Sequence, residues 1–219
     1  MLFRSGCGTA RLAELLAAAV PRGWVLAVDN SREMLEVARS RLGEGANIRL
    51  LRADLSALPL VGAVDMIFSN AVFHWISDHD RLFRSLAGAL RPGGRLVAQC
   101  GGHGNLTGTY AVSRAVAASP RFAAYFRSFH ESFLFATAED TEHALRDAGL
   151  TGIEVSLAPA PTPFPARREF RDFVATVILR PCLEALPSEE RPGFVEAFVD
   201  ACPSYHLDYV RLNLAARKS

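Results

Sequence analysis

An α/β fold built on a doubly wound, mostly parallel sheet, with helical insertions in the C-terminal half, is predicted by three observations. Apolar runs of strand length alternate with helix-period stretches through the first hundred residues. Each run ends on a polar residue or a glycine turn, and the regular alternation gives way to helices and prolines beyond residue 100.

The first strand leads into the turn Ser5-Gly6-Cys7-Gly8-Thr9-Ala10-Arg11. A glycine-rich turn between strand and helix lets a ligand approach bare backbone and meet the free N–H groups of a helix start. Leu12, Leu15, Leu16 and Ala19 recur at helical spacing and predict the apolar face of the first helix, stopped by Pro21-Arg22-Gly23. Trp24 to Val28 is a continuous apolar run, as in a strand covered on both faces, and ends at Asp29. Asn30 is the expected cap of the next helix, with Glu33 completing a capping box, Met34, Leu35, Ala38 and Leu42 as its buried side, and Gly43-Glu44-Gly45 as its stop.

Two more strands follow, Ile48 to Leu51 ending near Asp54 and Val64 to Phe68 ending near Asn70. A helix capped by Asp78 buries Leu82, Phe83, Leu86 and Leu90, and Arg91-Pro92-Gly93-Gly94 breaks it before a strand from Arg95 to Cys100. Beyond that point, helical cover is expected around Ala111 to Phe126, then a helix from Thr137 to Gly149 and a strand from Ile153 to Leu157. Pro159, Pro161, Pro163 and Pro165 predict an extended connector. Helices over Arg168–Leu179 and Ser188–Ala201 and a strand over Leu207–Ala215 close the chain.

Composition narrows the function classes. Half of the 219 residues are apolar, enough for a full core, and a single domain over 1–219 is the simplest organisation, its regular alternation over 1–101 followed by helices and closing strands over 102–219. A net charge of +1 without a basic run gives nucleic-acid binding no support. Cys7, Cys100, Cys182 and Cys202 have no metal-ligand or paired spacing and read as reduced thiols of a cytoplasmic protein; no metal site is expected. No apolar run approaches the roughly 20 residues of a membrane span.

In doubly wound sheets ligands bind outside the carboxyl ends of the strands, where strand order reverses. Gly6, Asp29, Asp54 and Asn70 all fall at such ends. Gly6-Cys7-Gly8-Thr9, Val28-Asp29-x-Ser31-x-x-Met34-Leu35, Ala53-Asp54-Leu55, Phe68-Ser69-Asn70-Ala71 and Leu90-Arg91-Pro92-Gly93-Gly94, in this order, resemble a class I S-adenosylmethionine-dependent methyltransferase with its Rossmann-like fold. Phe73-His74-Trp75, Thr162-Pro163-Phe164-Pro165 and Leu207 to Asn213 further resemble the trans-aconitate methyltransferase branch. Family relatives carry a helical segment ahead of the first strand, so the resemblance implies a chain truncated at its N-terminus.

The resemblance implies S-adenosylmethionine as cofactor and methyl transfer to a small acceptor such as a carboxylate. Gly6, Cys7, Gly8 and Thr9 would pass close to its methionine part; Asp29, with Asn30 beside it, would take the ribose hydroxyls. Asp54 would receive the adenine amino group, Met34 and Leu55 would pack on the ring, and the Asn70 carbonyl would face the methionine end. On the acceptor side, His74 is the candidate positioning donor and catalytic residue, Trp75 an apolar wall, and His103, in the loop Gly101-Gly102-His103-Gly104-Asn105, a pocket border. No Gly-Lys-Ser/Thr follows that loop, so it is not a P-loop.

Two features of the turn depart from the pattern: Arg4 stands where an acidic residue is usual, and Ala10 replaces a glycine. Arg4 and the truncation support a second reading, a degenerate methyltransferase-like binding or interaction protein. A third is a nicotinamide-dependent dehydrogenase, since Gly6-x-Gly8 followed by Asp29 also fits a dinucleotide fingerprint, although its third glycine slot falls on Arg11.

Overall fold

The computed structural model describes residues 1–42 and 47–219; the predicted helix stop at Gly43-Glu44-Gly45 lies outside the described residues. The chain divides into two compact units, one comprising 1–103, 133–158 and 211–219, the other 104–132 and 159–210.

The first unit holds a seven-stranded sheet. Its strands are β1 (Leu2–Ser5), β2 (Val25–Asp29), β3 (Ile48–Arg52), β4 (Val64–Asn70), β5 (Leu90–Gly101), β6 (Leu150–Pro159) and, closing the chain, β9 (Val210–Lys218). Their order is β3-β2-β1-β4-β5-β9-β6. β1 to β5 pair in parallel, and β9 runs antiparallel to β5. The order reverses between β1 and β4, so the carboxyl ends of β1, β2 and β4 frame the ligand crevice of this fold.

Helices α1 (Arg11–Ala19) and α2 (Arg32–Arg41) belong to one apolar cluster with β1 to β3, and α3 (His79–Ala89) and α5 (Ala138–Asp147) contribute to another. In α1 the buried face differs from the predicted one. Ala13 and Ala17 are buried and Leu16 and Val20 pack beside them, whereas Leu15 and Ala19 are exposed. Small alanines let the helix lie close to the sheet, and the larger leucine fits better outside. The α2 cap is Ser31, whose hydroxyl accepts from the Met34 N–H at 3.2 Å, and not Asn30. Asp78 caps α3 as predicted, and Leu82, Phe83, Leu86 and Leu90 are buried. Arg91 to Gly94 does not precede β5 but lies inside it: the register with β4 shifts between Val64↔Leu90 and Met66↔Arg95, with Gly93 at φ +77° absorbing the extra residues.

The second unit contains α4 (Thr107–Ala117), α6 (Arg167–Phe173), α7 (Arg180–Glu184), α8 (Arg191–Ala201) and a two-stranded ribbon, β7 (Thr162–Pro163) with β8 (His206–Leu207). The proline segment thus includes a short strand, with Thr162 paired to Leu207. The predicted helix over Arg168–Leu179 widens to a π-turn at Val174–Ile178 and restarts as α7, where Pro181 lacks the N–H that a continuous helix needs. The predicted last strand splits at Asp208-Tyr209, because Asp208 turns to cap α4, accepting from the Gly108 N–H (2.7 Å), the Thr109 N–H (3.1 Å) and the Thr109 hydroxyl (2.5 Å).

Candidate active site

The glycine turn is fixed by backbone and by one carboxylate. The Cys7 N–H donates to the Val28 carbonyl at 2.8 Å, tying the turn to β2. Asp29, the last residue of β2, then clamps it: one carboxylate oxygen accepts from the Gly8 N–H at 2.8 Å and the other from the Ser31 N–H at 2.9 Å. A carboxylate has about four acceptor sites, so each oxygen keeps a lone pair for a ligand hydroxyl. The Asp29 carbonyl accepts from the Ala53 N–H at 3.2 Å, which brings the end of β3 alongside. Asp54 is exposed and caps the single turn Leu55–Ala57 through the Ser56 N–H at 2.8 Å.

The two glycines differ in what faces them. Both have positive φ, +56° at Gly6 and +52° at Gly8. A side chain at Gly8 would enter open space, whereas a Cβ at Gly6 would lie 2.3 Å from Val72 Cγ2. Val72 follows Ala71, itself held at φ +58° with its N–H donated to the Gln99 carbonyl at 2.8 Å. Gly8 therefore presents a cradle, and Gly6 receives a neighbouring side chain. Thr9 and Asn30 are exposed, Met34 is half-buried, and Leu55 is buried in the core shared with α3. Cys7 is buried, and burial, with the nearby Asp29 carboxylate, pushes its thiol up to about 11.

Arg4 is 3% exposed. Its guanidinium donates to the Ser5 carbonyl and, at 3.4 Å, to the Asn70 carbonyl, and stands 5.7 Å from the centre of the Phe68 ring. Burial pulls its pKa down, opposed by Cys7 and Asp29. A buried cation thus joins the ends of β1 and β4 at the reversal point of the sheet.

His74 lies in the single turn Phe73–Trp75 after β4. Its Nδ1 accepts from the Gly101 N–H at 3.3 Å, which leaves the ring proton on Nε2. Gly101 pairs in turn with Arg211 of β9. Burial, then the charges of Arg211 and His79, hold His74 down to about 4. Trp75 is 46% exposed and meets Phe133 edge-on at 6.3 Å between ring centres. His103 is exposed and lines a different cleft of about 550 Å³, with His79, Asp78 and Asp140. The structure joins Gly8 with Asp29 and Asn70 with Arg4, and puts His74 beside Gly101 and Arg211. Sequence reasoning includes Arg211 in the Leu207 to Asn213 resemblance but assigns it no role; its trace is the alternation of polar Arg211 and Asn213 with apolar Leu212 and Leu214 in the closing strand.

The neutral imidazole has a measurable consequence. A pKa below the unfolded value of about 6.5 means that the unfolded chain binds the proton more readily. Stability from His74 is therefore complete above pH 6.5 and is lost as pH falls toward about 4. Urea unfolding at pH 4.5 to 7.5 is expected to show this loss, and His74→Asn, whose side-chain carbonyl still accepts from Gly101, to flatten it. His79, also shifted down by burial, supplies the residual slope.

A family model described as a methyltransferase domain matches residues 4–94. Trans-aconitate 2-methyltransferase of Azoarcus sp. (strain BH72) is 31% identical over 208 residues, covering 88% of this chain and 74% of that protein. Malonyl-(acyl-carrier protein) O-methyltransferase of Methylococcus capsulatus is 35% identical over 151 residues, 68% of this chain and 51% of that one. Among solved structures, Haemonchus contortus phosphoethanolamine N-methyltransferase 2, in complex with S-adenosyl-L-methionine, superposes with a TM-score of 0.63 at 22% identity, covering 99% of this chain and 48% of that one.

Proposed function

Since the chain belongs to the class I S-adenosylmethionine-dependent methyltransferases, in the trans-aconitate methyltransferase branch, we propose that it methylates a carboxylate oxygen of a small acceptor. The observation that carries this reading is the state of His74. With Nδ1 occupied by Gly101 and a pKa near 4, the imidazole is a poor base at neutral pH but a ready donor through Nε2. An amine or alcohol acceptor has a proton to lose, whereas a carboxylate is already ionised. A site with a donor and a nearby cation, Arg211, suits the carboxylate. Two relatives support this by name, a trans-aconitate 2-methyltransferase and a malonyl-(acyl-carrier protein) O-methyltransferase.

The residues present fit the adenosyl part of the cofactor. Asp29 would hold the ribose hydroxyls with its remaining lone pairs, the open face of Gly8 would admit the chain leading to sulfur, and Asp54, Met34 and Leu55 would border the adenine. When bound, the cofactor supplies an electrophilic methyl group on sulfur. The chain's own work is alignment: the acceptor oxygen has to be held in line about 3 Å from that carbon. His74 would orient it by donating from Nε2, Trp75 would exclude water from one side, and Arg211 would draw the anion in.

Incubation with labelled cofactor and size-matched carboxylate, amine and phenol acceptors tests the reading. Label in a base-labile methyl ester is the expected outcome, with rates insensitive to pH between about 6 and 8 because His74 stays neutral there. Label on nitrogen, or on phenol alone, would overturn it.

A further inference from the structure

The end of the crevice at β1 and β4 carries the wrong charge for an amino-acid tail. An ammonium group brings three donors and no acceptor, so it needs oxygen atoms around it. The strand-end carbonyls of Ser5 and Asn70 are such atoms at the reversal point, and both already accept from Arg4. A tail cation arriving there would share those carbonyls with a fixed like charge from which water is excluded, since Arg4 is 3% exposed. An anionic group meets the opposite conditions. The Arg4 Nε is buried and has no hydrogen-bond partner among the described residues, so the hydrogen bonding of this cation is incomplete. The adjoining turn opens helix α1, nine residues long, whose first N–H groups also favour negative charge.

We propose that Arg4 makes this a subsite for an anionic, ammonium-free tail: adenosyl thioethers ending in a carboxylate alone bind in preference to those that also carry an α-amino group. The inference rests on the cofactor reading above and adds a specificity to it. S-adenosylmethionine is then held chiefly through its adenosyl half, its ammonium opposed by Arg4.

Isothermal titration with two uncharged-sulfur probes separates the possibilities. One is S-adenosylhomocysteine; the other is its deaminated counterpart, the adenosine 5′-thioether of 4-mercaptobutyrate, identical except that hydrogen replaces the amino group. The chain is expected to bind the deaminated probe about tenfold more tightly. Arg4→Gln is expected to bring the two within threefold, and Arg4→Asp to reverse the order, each variant being checked for cooperative thermal unfolding. Equal or tighter binding of S-adenosylhomocysteine by the unaltered chain overturns the inference while leaving the cofactor reading in place, and needs no variant to fold. A preference that persists in Arg4→Gln overturns the assignment to Arg4. Binding of neither probe removes the cofactor reading and the subsite with it.

Discussion

Asp29→Ala is expected to lose at least about 100-fold in affinity for S-adenosylmethionine, because it removes both charge-assisted acceptors available to a vicinal diol, each worth about 1.5–3 kcal/mol. The same change acts on the fold. The Gly8 and Ser31 N–H groups lose their acceptor together, so the turn and the start of α2 are released by one substitution. Leaving two half-buried donors without partners costs about 1–3 kcal/mol each where water cannot replace the carboxylate. Asp29→Asn separates the two effects. Its amide has one oxygen, so it can still take one of the two N–H groups, but its NH₂ then faces the other donor. Titration calorimetry should show most of the affinity loss in Asp29→Asn, with a smaller fall in unfolding free energy than in Asp29→Ala. Affinity within threefold of the unaltered chain in either variant would contradict the role given to Asp29.

Asp29 also shows how a sequence exposes part of such a site. Its strand, Val25–Asp29, is buried enough to stand out as an unbroken apolar run, and a polar residue that ends such a run is placed at the crevice by its position in the chain. Asn70 and the Gly6 to Thr9 turn are legible for the same reason. What is hidden depends on neighbours that come together only in three dimensions. Nothing local distinguishes Gly6 from Gly8, yet Val72 faces one of them and open space the other. The departure at Arg4 is visible as a charge, but its grip on the carbonyls of Ser5 and Asn70 is not. Helix α1 misleads because alanine counts weakly in an apolar pattern although it packs closest to the sheet; Leu15 dominates the periodicity and is 65% exposed. Beyond residue 103 the helix over 167–184 is broken, widening to a π-turn and restarting at Pro181. There Asp208 is a helix cap reaching back 100 residues to Gly108, a pairing that sequence spacing does not encode.

The second large effect comes from that difference between the glycines. Gly6→Ala would put a methyl group 2.3 Å from Val72 Cγ2 and hold an L-residue at φ +56°. The left-handed backbone costs about 1–2 kcal/mol. Overpacking adds about 1–3 kcal/mol, so urea unfolding should register a loss of about 2–5 kcal/mol. Val72→Ala relieves the contact without relieving the backbone. The double variant Gly6→Ala/Val72→Ala should therefore be more stable than the sum of the single changes predicts, by about 1–3 kcal/mol. Additivity within about 0.5 kcal/mol would mean that the two residues do not oppose each other. Gly8→Val gives the converse result. Nothing lies within 4 Å of the position its Cβ would take, so only the backbone cost of φ +52° reaches stability. The added isopropyl group projects into the cradle beside Asp29, and cofactor affinity should fall by more than about tenfold. A stable Gly8→Val chain that no longer binds S-adenosylmethionine, beside a destabilised Gly6→Ala chain that still does, would divide the turn into a glycine required by packing and a glycine required by the ligand. If Gly8→Val binds unchanged, the cofactor does not pass over the turn at Gly8, and the route from Asp29 to the β1 and β4 ends has to run elsewhere.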